Sequence, residues 1–167
     1  MRHCVAVVLS VLVAAPALSA PPELNDEKSR LEALTFVGQI SIFKGYFDSV
    51  AEFCKPHVPA FILQDATNTW NGANREALKF RDSELDRLIA VAKEIDVPQD
   101  KLDQLAGWPG RYHREAMTEG VMVKDLKEEK DLKTACAQRL GEMGSTGMSL
   151  QKLSPGAWDY LQKLQAK

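Results

Sequence analysis

Cysteine and histidine are scarce in this chain of 167 residues, with three of each. Beyond residue 20 only Cys54, Cys136, His57 and His113 remain. Their positions lack the paired spacing of zinc sites, and no Cys-x-x-Cys is present for thiol–disulfide exchange. There is no Glu-x-x-His pair of the kind that di-iron bundles use. Also missing are the Gly-x-Ser-x-Gly elbow, the phosphate loop, the dinucleotide glycine pattern and His-Glu-x-x-His. These absences exclude the best-marked hydrolase, nucleotide-binding and metalloenzyme classes. No catalytic residue, metal ligand or cofactor is assigned, and the reading leans away from an enzyme. Charge of one sign is lacking too: 21 basic against 23 acidic residues give a formal net charge of −2. So even a balance offers no argument for nucleic acid or an anionic membrane surface as partner. No segment alternates as a strand should, no internal repeat occurs, and no Asn-x-Ser/Thr sequon is found.

What is present begins with "MRHCVAVVLSVLVAAPALSAPPEL". Arg2 supplies a positive start, Val5 to Ala15 is apolar apart from Ser10, and small residues follow. That order is the pattern of a secretory signal peptide over residues 1–20. The apolar run stops at Pro16, short of the roughly 20 residues that span a bilayer, so no membrane anchor is expected after cleavage. A cut after Ala20 would leave proline next in line, so cuts after Ser19 or Ala17 are alternatives. Residues 21–167 are then one domain, large enough for a true core, located in the periplasm or secreted.

An exported chain folds in an oxidising setting, and its two remaining cysteines are an even number. A Cys54–Cys136 disulfide is the expectation, against the alternative of two buried thiols. The bond would close a loop of 82 residues. In the chain-entropy model such a closure contributes about 4.5 kcal/mol.

Helical periodicity accounts for nearly all the remaining chain. Ala33, Phe36, Ile40, Phe43, Phe47, Val50 and Cys54 recur at three- and four-residue steps, predicting a helix over 26–54. Leu31, Leu34, Gly38, Ile42 and Gly45 form a second line, which implies burial against more than one neighbour. Gly38 and Gly45 are placed for close backbone approach. A second helix is predicted over 60–80, followed by a break in "RDSELD", where Ser83 and Asp86 resemble a capping box. A third helix then runs to about residue 95, and a short one over 98–105. "GWPGR" reads as a turn. Helices over about 111–121 and 124–142 follow, and a last one starts at Ser154 and Pro155. The expected fold is all-α: an irregular bundle of five to six helices clamped by one disulfide.

Two stretches could carry a site. In "QDATNTWNGANRE", Asn68, Asn71, Asn74 and Gly72 are poor helix formers, which demands either a compensating role or a kink. Gln64, Asn68, Asn71 and Arg75 follow a four-three-four spacing and share one face, with Trp70 beside it on the apolar seam. Such a face could hold a polar ligand or a partner's backbone, or simply be solvated. In "WPGRYHRE", Arg111, Tyr112, His113 and Arg114 could form an anion-binding helix start, or be surface charges paired with Glu115 and Glu119. Asp96, Asp100 and Asp103 cluster about a helix start, where acids are favoured in any case.

Signal peptide, two cysteines and helical pattern together are similar in general plan to small exported helical proteins of Gram-negative bacteria. The expectation is a non-enzymatic protein that binds another protein, as an immunity or inhibitor protein or an envelope accessory factor does. The alternative is a small hydrolase or ligand carrier with a polar pocket near Trp70.

Overall fold

The computed structural model describes residues 24, 26–144, 151 and 154–165. The segment read as a signal peptide lies outside them. Among the described residues there are seven α-helices and no strands, so the chain is all-α, with more helices than the five or six expected.

The first helix, α1 (Glu27–Cys54), is 28 residues long and forms the axis of the molecule. At ~1.5 Å per residue it spans about 42 Å. Asp26 caps it: one carboxylate oxygen accepts from the Ser29 backbone N–H at 2.8 Å, the other from the Ser29 hydroxyl at 2.9 Å. Every residue of its predicted main seam is buried except Phe43, which is half-buried.

The second helical stretch differs from expectation. It divides at Asn74 into α2 (Ala60–Ala73) and α3 (Arg75–Glu94), and no break occurs in "RDSELD". Ser83 is not a cap; its hydroxyl donates to the Lys79 carbonyl at 3.2 Å. The phase slip in the apolar seam is thus absorbed earlier, where Asn68, Asn71, Gly72 and Asn74 weaken the helix most. Asn74 itself is buried and donates its side-chain amide to the Trp70 carbonyl at 2.9 Å.

The end of α3 is closed by Asp96 in a left-handed conformation, φ 55°. The Asp96 N–H reaches the Lys93 carbonyl at 3.1 Å and the Val97 N–H reaches Ala92 at 3.0 Å. That bond pair is a Schellman motif, with aspartate where glycine is usual. A short α4 (Gln99–Ala106) follows, and then α5 (Trp108–Glu119). "GWPGR" is therefore not a free turn. Gly107 alone separates the helices, and Pro109 is accommodated in the first turn of α5, where its missing N–H has no partner to lose. Gly120, φ 60°, ends α5.

Only the second half of the predicted 124–142 helix forms. Two 3₁₀ turns, Val121–Val123 and Leu126–Glu128, precede α6 (Leu132–Glu142), whose start is capped by Asp131. The last helix, α7 (Pro155–Gln165), begins as expected, with the Ser154 hydroxyl accepting from the Ala157 N–H at 3.4 Å.

α1 divides the core in two. Around its first half, Phe36, Val37 and Ile40 meet Leu88 and Val91 of α3, Leu102 and Leu105 of α4, Trp108 of α5 and Leu161 of α7. Around its second half, Phe47, Val50 and Cys54 meet Trp70 of α2, Val123 and Leu126 of the 3₁₀ turns, and Cys136 and Leu140 of α6. The Cys54 and Cys136 sulfurs are bonded at 2.12 Å, and neither residue has any exposed surface. The disulfide thus ties the end of α1 to the middle of α6 inside the second cluster.

Candidate functional site

α2 has two faces with different fates. Its inner seam buries Ala66 and Trp70. The Trp70 ring stacks on Phe47, with centroids 4.9 Å apart and planes 19° from parallel, and the Lys44 ammonium sits 5.7 Å from its centre. Trp70 is 2% exposed, and its indole N–H is closed off from solvent without a hydrogen-bond partner among the described residues. For the alternative of a polar pocket near Trp70, the indole is not a lining group: it belongs to the core and not to the amide face.

On the outer side of α2, Gln64 and Asn68 are exposed and Asn71 is half-buried, while Arg75, also exposed, opens α3 beyond the break. Their spacing sets them along one stripe, and Phe61 extends it by one step toward the helix start. Phe61 is 69% exposed, the most exposed of the large hydrophobic residues described. Sequence reading missed Phe61, although its spacing from Gln64 and Asn68 was the available signal. Between Ala60 and Ala73 the only charged residue is Asp65. The stripe is thus an aromatic ring and three amides on α2, followed by a guanidinium at the start of α3. It offers donors and acceptors of both kinds but encloses nothing.

The four residues of the second candidate are not brought together, because consecutive residues of a helix point in four directions. Tyr112 lies over Gly38 and stacks with Trp108 at 5.7 Å. Arg111 stays near the Tyr112 ring and Arg114 is exposed. His113 turns to α1, its Nε2 2.7 Å from Asp48 Oδ2, and Asp48 is also paired with Lys44. Asp48 therefore holds two partners, Lys44 and His113, at the α1–α5 crossing. No hydroxyl or thiol is hydrogen-bonded to His113 among the described residues.

A cleft of about 390 Å³ lies between α1 and α7, lined by Glu32, Thr35, Gln39, Asp159, Tyr160 and Lys163 with apolar neighbours. Several of its polar groups are engaged with one another or with the core, while Thr35 and Asp159 are exposed. Lys163 and Glu32 are 3.5 Å apart, Gln39 accepts from the Ser154 hydroxyl at 2.7 Å, and Tyr160 donates to Glu84 at 2.7 Å. Glu84 is buried and also paired with Arg87. Burial first, and then the bond to Glu84, push the Tyr160 phenol well above its usual value, so it stays a neutral donor.

The three aspartates about the start of α4 have separate duties: Asp96 in its turn, Asp103 accepting from Gln99 at 2.8 Å, Asp100 beside Lys101. Among the described residues there is no cluster of three or more potential metal ligands, and no helix is long and apolar enough to cross a membrane. No protein-family model matches the chain, and no curated protein or solved structure shows significant similarity to it.

Proposed function

We propose that this is an exported, non-enzymatic binding protein, periplasmic or secreted, that acts by docking another protein on the outer stripe of α2. An immunity or inhibitor protein, or an envelope accessory factor, works in this way. The observation that supports the reading is the stripe itself: Phe61, Gln64, Asn68 and Asn71 share the outward face of α2, with exposed Arg75 next in the chain, over a core locked by the Cys54–Cys136 bond. An exposed aromatic at one end and an arginine at the other are the residue types that anchor protein interfaces. A carrier or hydrolase would need converging polar groups in a pocket, and in the α1–α7 cleft Lys163 pairs with Glu32 while Gln39 and Tyr160 are held by Ser154 and Glu84.

The test is site-specific photo-crosslinking in the producing cell. A photoreactive residue at position 68 or 75 should give a discrete protein adduct in the exported fraction. The same residue at exposed Lys93, at the end of α3, should give none. Equal labelling from all three positions would refute the reading.

A further inference from the structure

The break between α2 and α3 opens onto a second cleft, and we propose that this cleft binds a small organic cation, a protonated amine on an apolar body. The site goes beyond the docking reading and stands whether or not a protein covers the outer stripe of α2. In an unbroken helix the N–H groups of Arg75, Glu76 and Ala77 would bond the carbonyls of Asn71, Gly72 and Ala73. None of these three bonds forms. α2 therefore ends on carbonyls that its ladder does not use, at the end of a helix that favours positive charge. No basic residue stands in that last turn to supply it. The other side of the break is provided for: Glu76 sits in the first turn of α3, where the helix dipole favours an acid.

The cleft has a volume of about 320 Å³, at the lower end of the roughly 300–1,000 Å³ of ligand pockets. Ala73, Asn74 and Glu76 line it at the break, and Trp158 and Leu161 line it from α7. Asn74 is 5% exposed, and its side-chain nitrogen is committed to the Trp70 carbonyl. Its side-chain oxygen caps nothing and has no other partner, yet it is not sealed from solvent. A buried amide thus presents an unmatched acceptor to the cleft. Glu76 is the one charged side chain lining the cleft among the described residues, and no ion pair engages it. The side chains that lack partners are therefore an amide oxygen and a carboxylate, next to unused helix carbonyls: all are acceptors. Such a set takes N–H donors that carry positive charge. Leu161 and half-buried Trp158 supply apolar area for the body of the ligand, and an indole ring attracts an ammonium. An anion would meet the Glu76 carboxylate and, among the described lining residues, no basic side chain.

Hexylamine, hexanol and hexanoate share an apolar body and differ in charge, and each can be titrated into the purified protein while amide and indole NMR signals are followed. Hexylamine should bind saturably, at about millimolar affinity, and move the Asn74 side-chain and Trp158 indole signals. Hexanol should bind about two- to fivefold more weakly, and hexanoate more weakly still. Glu76 is exposed, so its variants keep the fold. Glu76→Gln should weaken hexylamine by about two- to fivefold, and Glu76→Lys should abolish its preference over hexanoate. Ala73→Phe adds a ring to a lining residue that is itself exposed, and should block hexylamine. Hexanoate binding as tightly as hexylamine overturns the proposal. So does an affinity for hexylamine that Glu76→Gln leaves unchanged, or a titration that moves neither the Asn74 nor the Trp158 signal.

Discussion

The backbone carbonyl of His113 lies only 2.5 Å from the point where a Cβ on Gly45 would stand. Ala116 Cβ is 2.8 Å from the same point. α1 and α5 therefore cross backbone to backbone, and only glycine permits it. Gly45→Ala gains helix propensity of roughly 1 kcal/mol, yet forces the helices apart at their most extensive contact. A net loss of about 2 kcal/mol or more is expected. Gly72→Ala is the control, because nothing lies within 4 Å of its added Cβ. Thermal melts should show the first variant less stable than the parent and the second at least as stable.

The disulfide joins two fully buried cysteines 82 residues apart. Replacing Cys54 and Cys136 by serine removes a closure contribution of about 4.5 kcal/mol in the chain-entropy model. At roughly 2–4 °C per kcal/mol for a domain of this size, the midpoint should fall by about 10 °C or more. Calorimetry of the parent with and without reductant at high temperature gives the matching comparison. Coincident transitions would show that the bond carries no stability.

The asparagines of α2 should divide into two classes. Asn68→Ala and Asn71→Ala remove side chains from an outward face, so together they should raise stability by roughly 1 kcal/mol. Asn74→Ala removes the buried amide that donates to the Trp70 carbonyl, and should cost about 1 kcal/mol. Urea melts of both variants separate the cases. A loss from the outward pair would make those amides structural.

Acid should weaken the fold through exposed carboxylates that the native state holds ionised. The Ser29 backbone and side chain lower the Asp26 carboxyl, the Thr134 side chain and backbone lower Asp131, and Arg139 lowers Asp125, all from an ordinary value of 3.8. A folded-state value below the unfolded one contributes stability above the unfolded value, and that contribution is lost as pH falls. The midpoint should therefore decline below about pH 4. Asp26→Asn keeps a capping oxygen without the charge, so its decline over the same range should be shallower than the parent's. Parallel slopes would contradict the assignment.

Asp96 holds a left-handed conformation, φ 55°, at the end of α3. Glycine adopts that conformation without a Cβ penalty, so Asp96→Gly should leave the Schellman bonds intact and raise stability by up to about 1 kcal/mol. Denaturant midpoints decide it; a clear loss would mean that the Asp96 side chain holds the turn.

Local chemistry written into the sequence determined the helical class, the seam of α1, the cap at Ser154, and the Cys54–Cys136 pairing. Each depends on residues within a turn or two of one another, or on parity in an even set of cysteines. The weak stretch from Asn68 to Asn74 was legible too, but not what resolves it. Whether a helix breaks at Asn74 or at Ser83 depends on which break lets Trp70 stack on Phe47 while Leu88 still reaches the other half of the core, and both partners are distant in sequence. Tertiary packing alone decided that Trp70 turns inward, that His113 reaches Asp48 across 65 residues, and that Phe61 stays in solvent at the head of the amide stripe. A side chain's spacing along a helix says which face it shares. Which face the rest of the protein covers is set by the neighbours that pack there, and spacing carries no record of them.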